Sequence, residues 1–193
     1  MKSNAAAPNP AWNKGRRAGQ KPPLTSRDVL VIRALLEAGG NKRDLALFNL
    51  AIDSKLNACD LVGIKIGDVW SVDRVRAQAR IVQQKSGQPL RFVLAGSTRR
   101  SVGDWLKSLD PAKMVFLFPS RVGGGAHIST RHYARLVRGW IKAAGLDAAA
   151  YGTHSLRRSK PAQIYRKTGN LRAVQRLLGH SKRDSTLRYL GSA

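Results

Sequence analysis

Apolar residues recur at helical spacing along most of this chain and alternate in one short region. VLVIRALLEA (29–38) follows two capping candidates, Thr25 and Ser26, and runs into Gly39-Gly40, which predicts a first helix. KRDLALFNLAID (42–53) predicts a second, strongly apolar helix, and CDLVGIKIGDV (59–69) a short helix and a turn. RAQARIVQQKSGQPLRFVL (76–94) breaks the rhythm. Two runs of strand-forming residues flank Lys85-Ser86-Gly87-Gln88, the signal of a β-hairpin. The helical period then returns. Ser97 or Thr98 opens RRSVGDWLKSL, Ser129 caps TRHYARLVRGWIKAAG up to Gly145, and HSLRRSKPAQIYRKTGN, LRAVQRLLGH and DSTLRYLG predict three more helices. FLFPSRVGGGAHIS reads as loop, and no internal repeat is visible. The expected fold class is mostly α with a small antiparallel β-sheet (α+β), as one domain over residues 25–193. Residues 1–24, rich in Pro, Gly, Asn and base, read as an arm, with Trp12 as its candidate docking residue.

The chain has 193 residues, of which 42% are hydrophobic, enough for one domain with a core. Charge changes the picture more. Lys and Arg total 35 against 11 Asp and Glu, a net +24. Five of those bases (Lys2, Lys14, Arg16, Arg17 and Lys21) lie in the arm, which has no acid, so the body keeps +19. Such a balance predicts a polyanionic partner, nucleic acid before membrane, bound in a salt-dependent way. Lys14, Arg16 and Arg17 in the arm, with Arg131 and Arg158 in the body, are the candidate DNA contacts. The single cysteine, Cys59, excludes a disulfide framework or a Cys-based zinc site within one chain, and reads as a small buried apolar group. No apolar run reaches membrane-span length and the start does not read as a signal peptide, so a cytoplasmic, nucleoid-associated protein is expected. Glu37 is the only glutamate and the aspartates are scattered, so no magnesium site and no cofactor are expected.

Candidate chemistry is concentrated in four short motifs: SKLNACDLVGIKIGDV (54–69), QKSG (84–87), THSLRR (153–158) and LLGHS with Tyr189 nine residues after His180. Taken singly, each has a plain structural reading. Tyr189 packs, His154 caps or sits in a core, Arg157 and Arg158 are solvated, His180 ends a helix and Lys85 is a turn lysine. His127 and His132 have no motif context and read as surface or loop residues.

In this order and at these separations, the motifs resemble those of the tyrosine recombinase catalytic domain, the phage integrase family, over roughly residues 25–191. The likeness is closest to short, stand-alone members on bacterial chromosomes and mobile elements. It implies a DNA strand-exchange enzyme that needs no metal. Cutting a phosphodiester without water or metal requires a nucleophile, an acid for the leaving group and fixed positive charge around the phosphate. The resemblance gives those roles to Tyr189, as nucleophile through a 3′-phosphotyrosyl link, and to Arg157 and His180 as phosphate donors. It makes His154 the proton partner, and Lys85 the acid for the 5′-oxygen. Self-association on double-stranded DNA, as a dimer or tetramer synapse, is implied with them.

The sequence departs from that pattern in several places. Asn57 stands where the first motif normally has an arginine, and its amide cannot supply a charged fork. Pro161 falls four residues after Arg157, where it should kink the helix or make it begin late. Four residues follow Tyr189, fewer than in many relatives, and only the arm stands in place of a separate core-binding domain. The expected activity is therefore reduced. The alternative is a catalytically weak or inactive DNA-binding relative, a regulator or relic. An RNA-binding reading has little support, because no aromatic-rich strand is present to stack bases.

Overall fold

A computed structural model describes residues 20–109, 114–122, 126–178 and 182–190. Lys14, Arg16, Arg17, Trp12 and His180 lie outside these residues.

Helix α1 (Ser26–Ala38) starts at Thr25, whose hydroxyl accepts from the Asp28 amide while the Asp28 carboxylate accepts from the Thr25 amide. Gly40, at φ +63, then turns the chain sharply, and Asn41 caps α2 (Lys42–Ser54) by accepting from the Asp44 amide. α2 is buried almost all round and packs against α1, α5 and α7, so it is the central helix. Two short helices follow, α3 (Ala58–Val62) and α4 (Ile66–Val69). A two-residue pairing, β1 (Trp70–Ser71) with β2 (Arg74–Val75), precedes the expected hairpin of β3 (Gln78–Val82) and β4 (Pro89–Val93). In β3 the burial alternates, with Ala79 and Ile81 facing the core.

α5 (Gly96–Leu106) starts one to two residues before the expected cap. Its N-cap, Ala95, has no side-chain oxygen. The Ala95 amide instead donates to Asp53 at 2.8 Å, and the Thr98 hydroxyl to the same carboxylate oxygen at 2.6 Å. α6 (Thr130–Ala143) is capped by Ser129, which accepts from the His132 amide, and buries Tyr133, Val137, Trp140 and Ile141. α7 (Thr153–Thr168), α8 (Leu171–Leu178) and α9 (Arg183–Leu190) close the fold. α7 neither stops nor starts late at Pro161, which lies buried inside it.

Most core residues form one cluster around α2, while Ala162, Val174 and Leu190 form a satellite that ties α7, α8 and α9 together. The last residues assigned to the arm belong to the body. Leu24 is fully buried, and its amide donates to the Ser159 hydroxyl at 3.0 Å. Cys59 is half-buried rather than buried. His127 is half-buried with its ring against Phe116, and His132 is half-buried on α6. Among the described residues no helix is long and apolar enough to cross a membrane.

Candidate active site

Three stretches far apart in sequence meet around the first turns of α7. That helix has no side chain to cap it at Gly152. Ser155 turns back to accept from the Gly152 amide at 3.1 Å, which holds the entry turn. His154 and Arg157 follow one turn apart, and helical geometry places them on a common face. They line a cleft of about 340 Å³ with Arg158, Tyr189, Gln20 and Lys21.

Tyr189 reaches the cleft because α9 is fastened under α7. Thr186 and Leu190 are buried, and Nε of Arg158 donates to the Tyr189 carbonyl at 2.6 Å. The guanidinium carbons of Arg157 and Arg158 lie 5.9 and 5.7 Å from the Tyr189 ring centroid. The Tyr189 hydroxyl donates to the backbone carbonyl of Arg157 at 3.2 Å. Burial raises the phenol above its ordinary pKa, and the two arginines oppose that rise.

Arg157 is also the link to the first motif. Its Nη1 donates to Oδ1 of Asn57, at the start of α3. Its Nε is buried, with no acceptor among the described residues. Asn57 thus occupies the place facing the arginine, and its own Nδ2 lies 3.5 Å from Asp60. Asp60, buried to 3% exposure, accepts from the Gln84 amide at 2.8 Å. Gln84 Nε2 donates in turn to the Cys59 carbonyl at 3.2 Å. These bonds moor the hairpin tip to α3. The next residue, Lys85, is exposed at that tip, and its charge bears on His154. Loss of hydration lowers the His154 pKa first, and Arg157, Arg158, Lys85 and Lys21 lower it further.

Sequence reasoning and structure diverge at several residues. Arg158, expected to contact DNA, is only 5% exposed. Its Nη1 donates to the Lys21 carbonyl at 2.6 Å and its Nε to that of Tyr189, so it ties α9 and the residue 20–24 segment to α7. Burial with both groups on backbone carbonyls makes it a positioning residue rather than a groove contact. Arg131 is exposed in the first turn of α6. Lys55, two residues before Asn57, sits in the left-handed region at φ 57. Its Nζ donates to the Leu177 carbonyl at the end of α8. Burial, then the charge of Lys160, lowers its pKa to about 8, against a smaller upward pull from Asp53.

Lys21 and Gln20 were absent from the sequence-level site. Lys21 is brought in by two bonds of 2.8 Å from its Nζ to the Ala149 and Tyr151 carbonyls. Nothing local in the sequence signals such a long-range contact. Among the described residues, no group of three or more His, Cys, Asp or Glu is placed to hold a metal.

Known proteins share this chain's sequence pattern and fold. A family profile described as "Phage integrase family" matches residues 24–193. The chain is 30% identical over 151 residues to the probable integrase/recombinase YoeC of Bacillus subtilis (strain 168), covering 78% of each chain. It is 30% identical over 189 residues to the tyrosine recombinase XerC of Vibrio vulnificus (strain YJ016), covering 94% of this chain but 57% of XerC. Against the XerC and XerD relatives, then, it spans little more than half their length. Its fold matches the crystal structure of XerA recombinase with a TM-score of 0.72 at 20% identity, over 90% of this chain and 60% of XerA. It also matches the XerH site-specific recombinase bound to palindromic difH substrate in a post-cleavage complex. There the TM-score is 0.69 at 20% identity, over 89% of this chain and 50% of XerH.

Proposed function

The chain belongs to the phage integrase family, and we propose that it cuts and rejoins double-stranded DNA through a 3′-phosphotyrosyl intermediate on Tyr189. The observation that carries this reading is the meeting of Tyr189, Arg157 and His154 in one cleft, with the Lys85 hairpin moored beside it. Each residue has a role its chemistry suits. The phenol oxygen bonds to phosphorus as the bond from phosphorus to the 5′-oxygen breaks. His154, held below the usual histidine pKa, is neutral at pH 7 and takes the phenol proton. Lys85 gives a proton to the departing oxygen. Arg157 binds the non-bridging oxygens, where charge grows in the transition state, and its planar fork matches them. His180, outside the described residues, is the further phosphate donor this scheme assigns. A second 5′-hydroxyl attacking the phosphotyrosine reverses the steps and releases Tyr189.

The basic body and arm bind the duplex. Lys14, Arg16 and Arg17 are its proposed contacts from the arm, and Arg131 from α6. Self-association on DNA and action at the bacterial nucleoid belong to the same proposal. They are supported by the DNA-bound XerH and by a lambda integrase dimer bound to a core site, both of which share this fold.

One observation favours a second reading. Asn57 faces Arg157 where a second arginine would share the phosphate, so the site has one fixed guanidinium fewer. A single donor lost from such a site costs roughly a hundred- to a thousandfold in rate. The protein is then a slow recombinase or a DNA-binding relative that no longer cuts.

Incubating the full chain with a suicide DNA substrate, which traps the cut strand, tests both. The expected result is a denaturant-resistant protein–DNA adduct that is lost in Tyr189→Phe while DNA binding persists. An adduct of undiminished yield in Tyr189→Phe would reject the nucleophile. No adduct at all, with binding intact, would select the second reading.

A further inference from the structure

In an α-helix the amide of residue i+4 donates to the carbonyl of residue i. Position 161 carries proline, which has no amide hydrogen, so the α7 ladder offers the Arg157 carbonyl no donor from there. Interior proline usually kinks or ends a helix, and a buried carbonyl left unpaired is costly. Yet α7 runs on from Thr153 to Thr168. A donor has come from outside the helix. The Tyr189 hydroxyl, 32 residues further along the chain, donates to that carbonyl at 3.2 Å. The vacancy left by one side chain and the hydroxyl of another complete each other.

We infer that Pro161 is a positioning residue for Tyr189: by withholding an amide hydrogen, it keeps the Arg157 carbonyl open as the seat of the tyrosine hydroxyl. That Tyr189 is a nucleophile rests on the function proposed above; the seat does not. A backbone carbonyl accepts a hydrogen bond but does not take up the proton. The seated phenol therefore stays protonated and aimed until a base such as His154 takes over. The seat and the proposed phosphate clamp belong to one residue, the backbone and the side chain of Arg157. One residue thus ties the position of the hydroxyl to that of the proposed clamp. Misplacement by about 1 Å in such a geometry costs on the order of a hundredfold in rate. Alanine at 161 supplies the missing amide hydrogen and competes for the seat.

Other groups also act on the phenol. Arg157 and Arg158 face its ring from α7 at 5.9 and 5.7 Å and favour the phenolate. His154 and Lys21 line the same cleft, and Arg188 precedes Tyr189 on α9. All of these residues are kept in Pro161→Ala, so a change in the titration of Tyr189 traces to position 161, and the double-mutant cycle below ties it to the hydroxyl.

The test uses the full chain labelled with carbon-13 at tyrosine Cζ. There are four tyrosines, and the Tyr189 resonance is the one missing in Tyr189→Phe. A hydrogen bond donated by the neutral phenol holds its proton on, so Pro161→Ala should lower the Tyr189 pKa by about half a unit to one unit. A double-mutant cycle in melting temperature gives the second readout. In the parent chain the new amide displaces the tyrosine hydroxyl. In Tyr189→Phe it fills an empty acceptor. Pro161→Ala should therefore raise the melting temperature about 2–4 °C more in the Tyr189→Phe background. An unmoved Tyr189 titration overturns the seat, and so does an additive cycle. Both readouts are independent of DNA cleavage, so a chain that forms no adduct would sink the proposed reaction and leave this inference to be judged by them.

Discussion

Arg157 donates from Nη1 to Oδ1 of Asn57, 100 residues away in sequence. This bond joins the start of α3 to the first turns of α7, and it occupies a donor that the proposed reaction needs for the phosphate.

Replacing Asn57 by arginine should restore a two-guanidinium clamp. The carboxylate of Asp60 lies 3.5 Å from the Asn57 amide and can balance the new charge. Asn57→Arg is expected to increase covalent adduct on suicide DNA by at least about tenfold, with little change in DNA affinity. An arginine variant that cuts no faster would show that the phosphate is already clamped by another group. Lys55 is poorly placed for that duty, since its Nζ is held by the Leu177 carbonyl.

The buried carboxylate beneath the site should matter for stability. Asp53 is 4% exposed and accepts from Lys160 at 2.6 Å, from the Ala95 amide and from the Thr98 hydroxyl. Asp53→Asn leaves Lys160 without its counter-ion. Breaking a buried pair costs about 3–5 kcal/mol, and the low end applies because the Lys160 side chain is 31% exposed. A fall in melting temperature of about 6–12 °C is expected for a chain of this size. A fall below about 2 °C would mean that the network contributes little.

His154 should titrate below the ordinary histidine value of about 6.5. Its folded pKa is depressed, so in the window below 6.5 the unfolded chain binds the extra proton. Stability from this group is present above that window and is lost as pH falls through the folded pKa. Imidazole proton resonances, with His154 assigned through His154→Gln, give the midpoint directly. A midpoint at or above 6.5 would remove His154 from the role of neutral base.

Lys85 has a test that separates acid catalysis from binding. A substrate with sulfur in place of the leaving 5′-oxygen departs as a thiolate and needs little protonation. Lys85→Ala should slow cutting of ordinary DNA by on the order of a hundredfold or more and affect the sulfur substrate far less. Equal defects on both would deny Lys85 the proton.

DNA affinity should fall steeply with salt, because the charge of +24 is bound to release counterions on a duplex. Filter binding or fluorescence anisotropy across low to moderate salt checks it, and a flat dependence would argue against the basic surface as the binding face.

Local chemistry made much of this protein legible in its sequence. Thr25 with Asp28 and Ser129 before His132 are capping pairs within a few residues of each other, so α1 and α6 begin where expected. The alternation of Ala79 and Ile81 marked β3 for the same reason. The pairing of β1 with β2 had no such signal, since two residues per strand carry no period. Long-range contacts decided the rest. Thr98 looked like a cap, but its hydroxyl went to Asp53, 45 residues away, so α5 starts earlier. Arg158 looked like its neighbour Arg157, yet only one of them is committed to backbone carbonyls in the interior, a difference of 100° around α7 that adjacent letters do not reveal. Pro161 obeyed the helix rule in what it withholds and departed from it in what followed. Its missing donor was replaced across the fold by Tyr189. Propensity and capping act over a few residues, whereas burial and hydrogen-bond completion are settled only when distant segments share one interior.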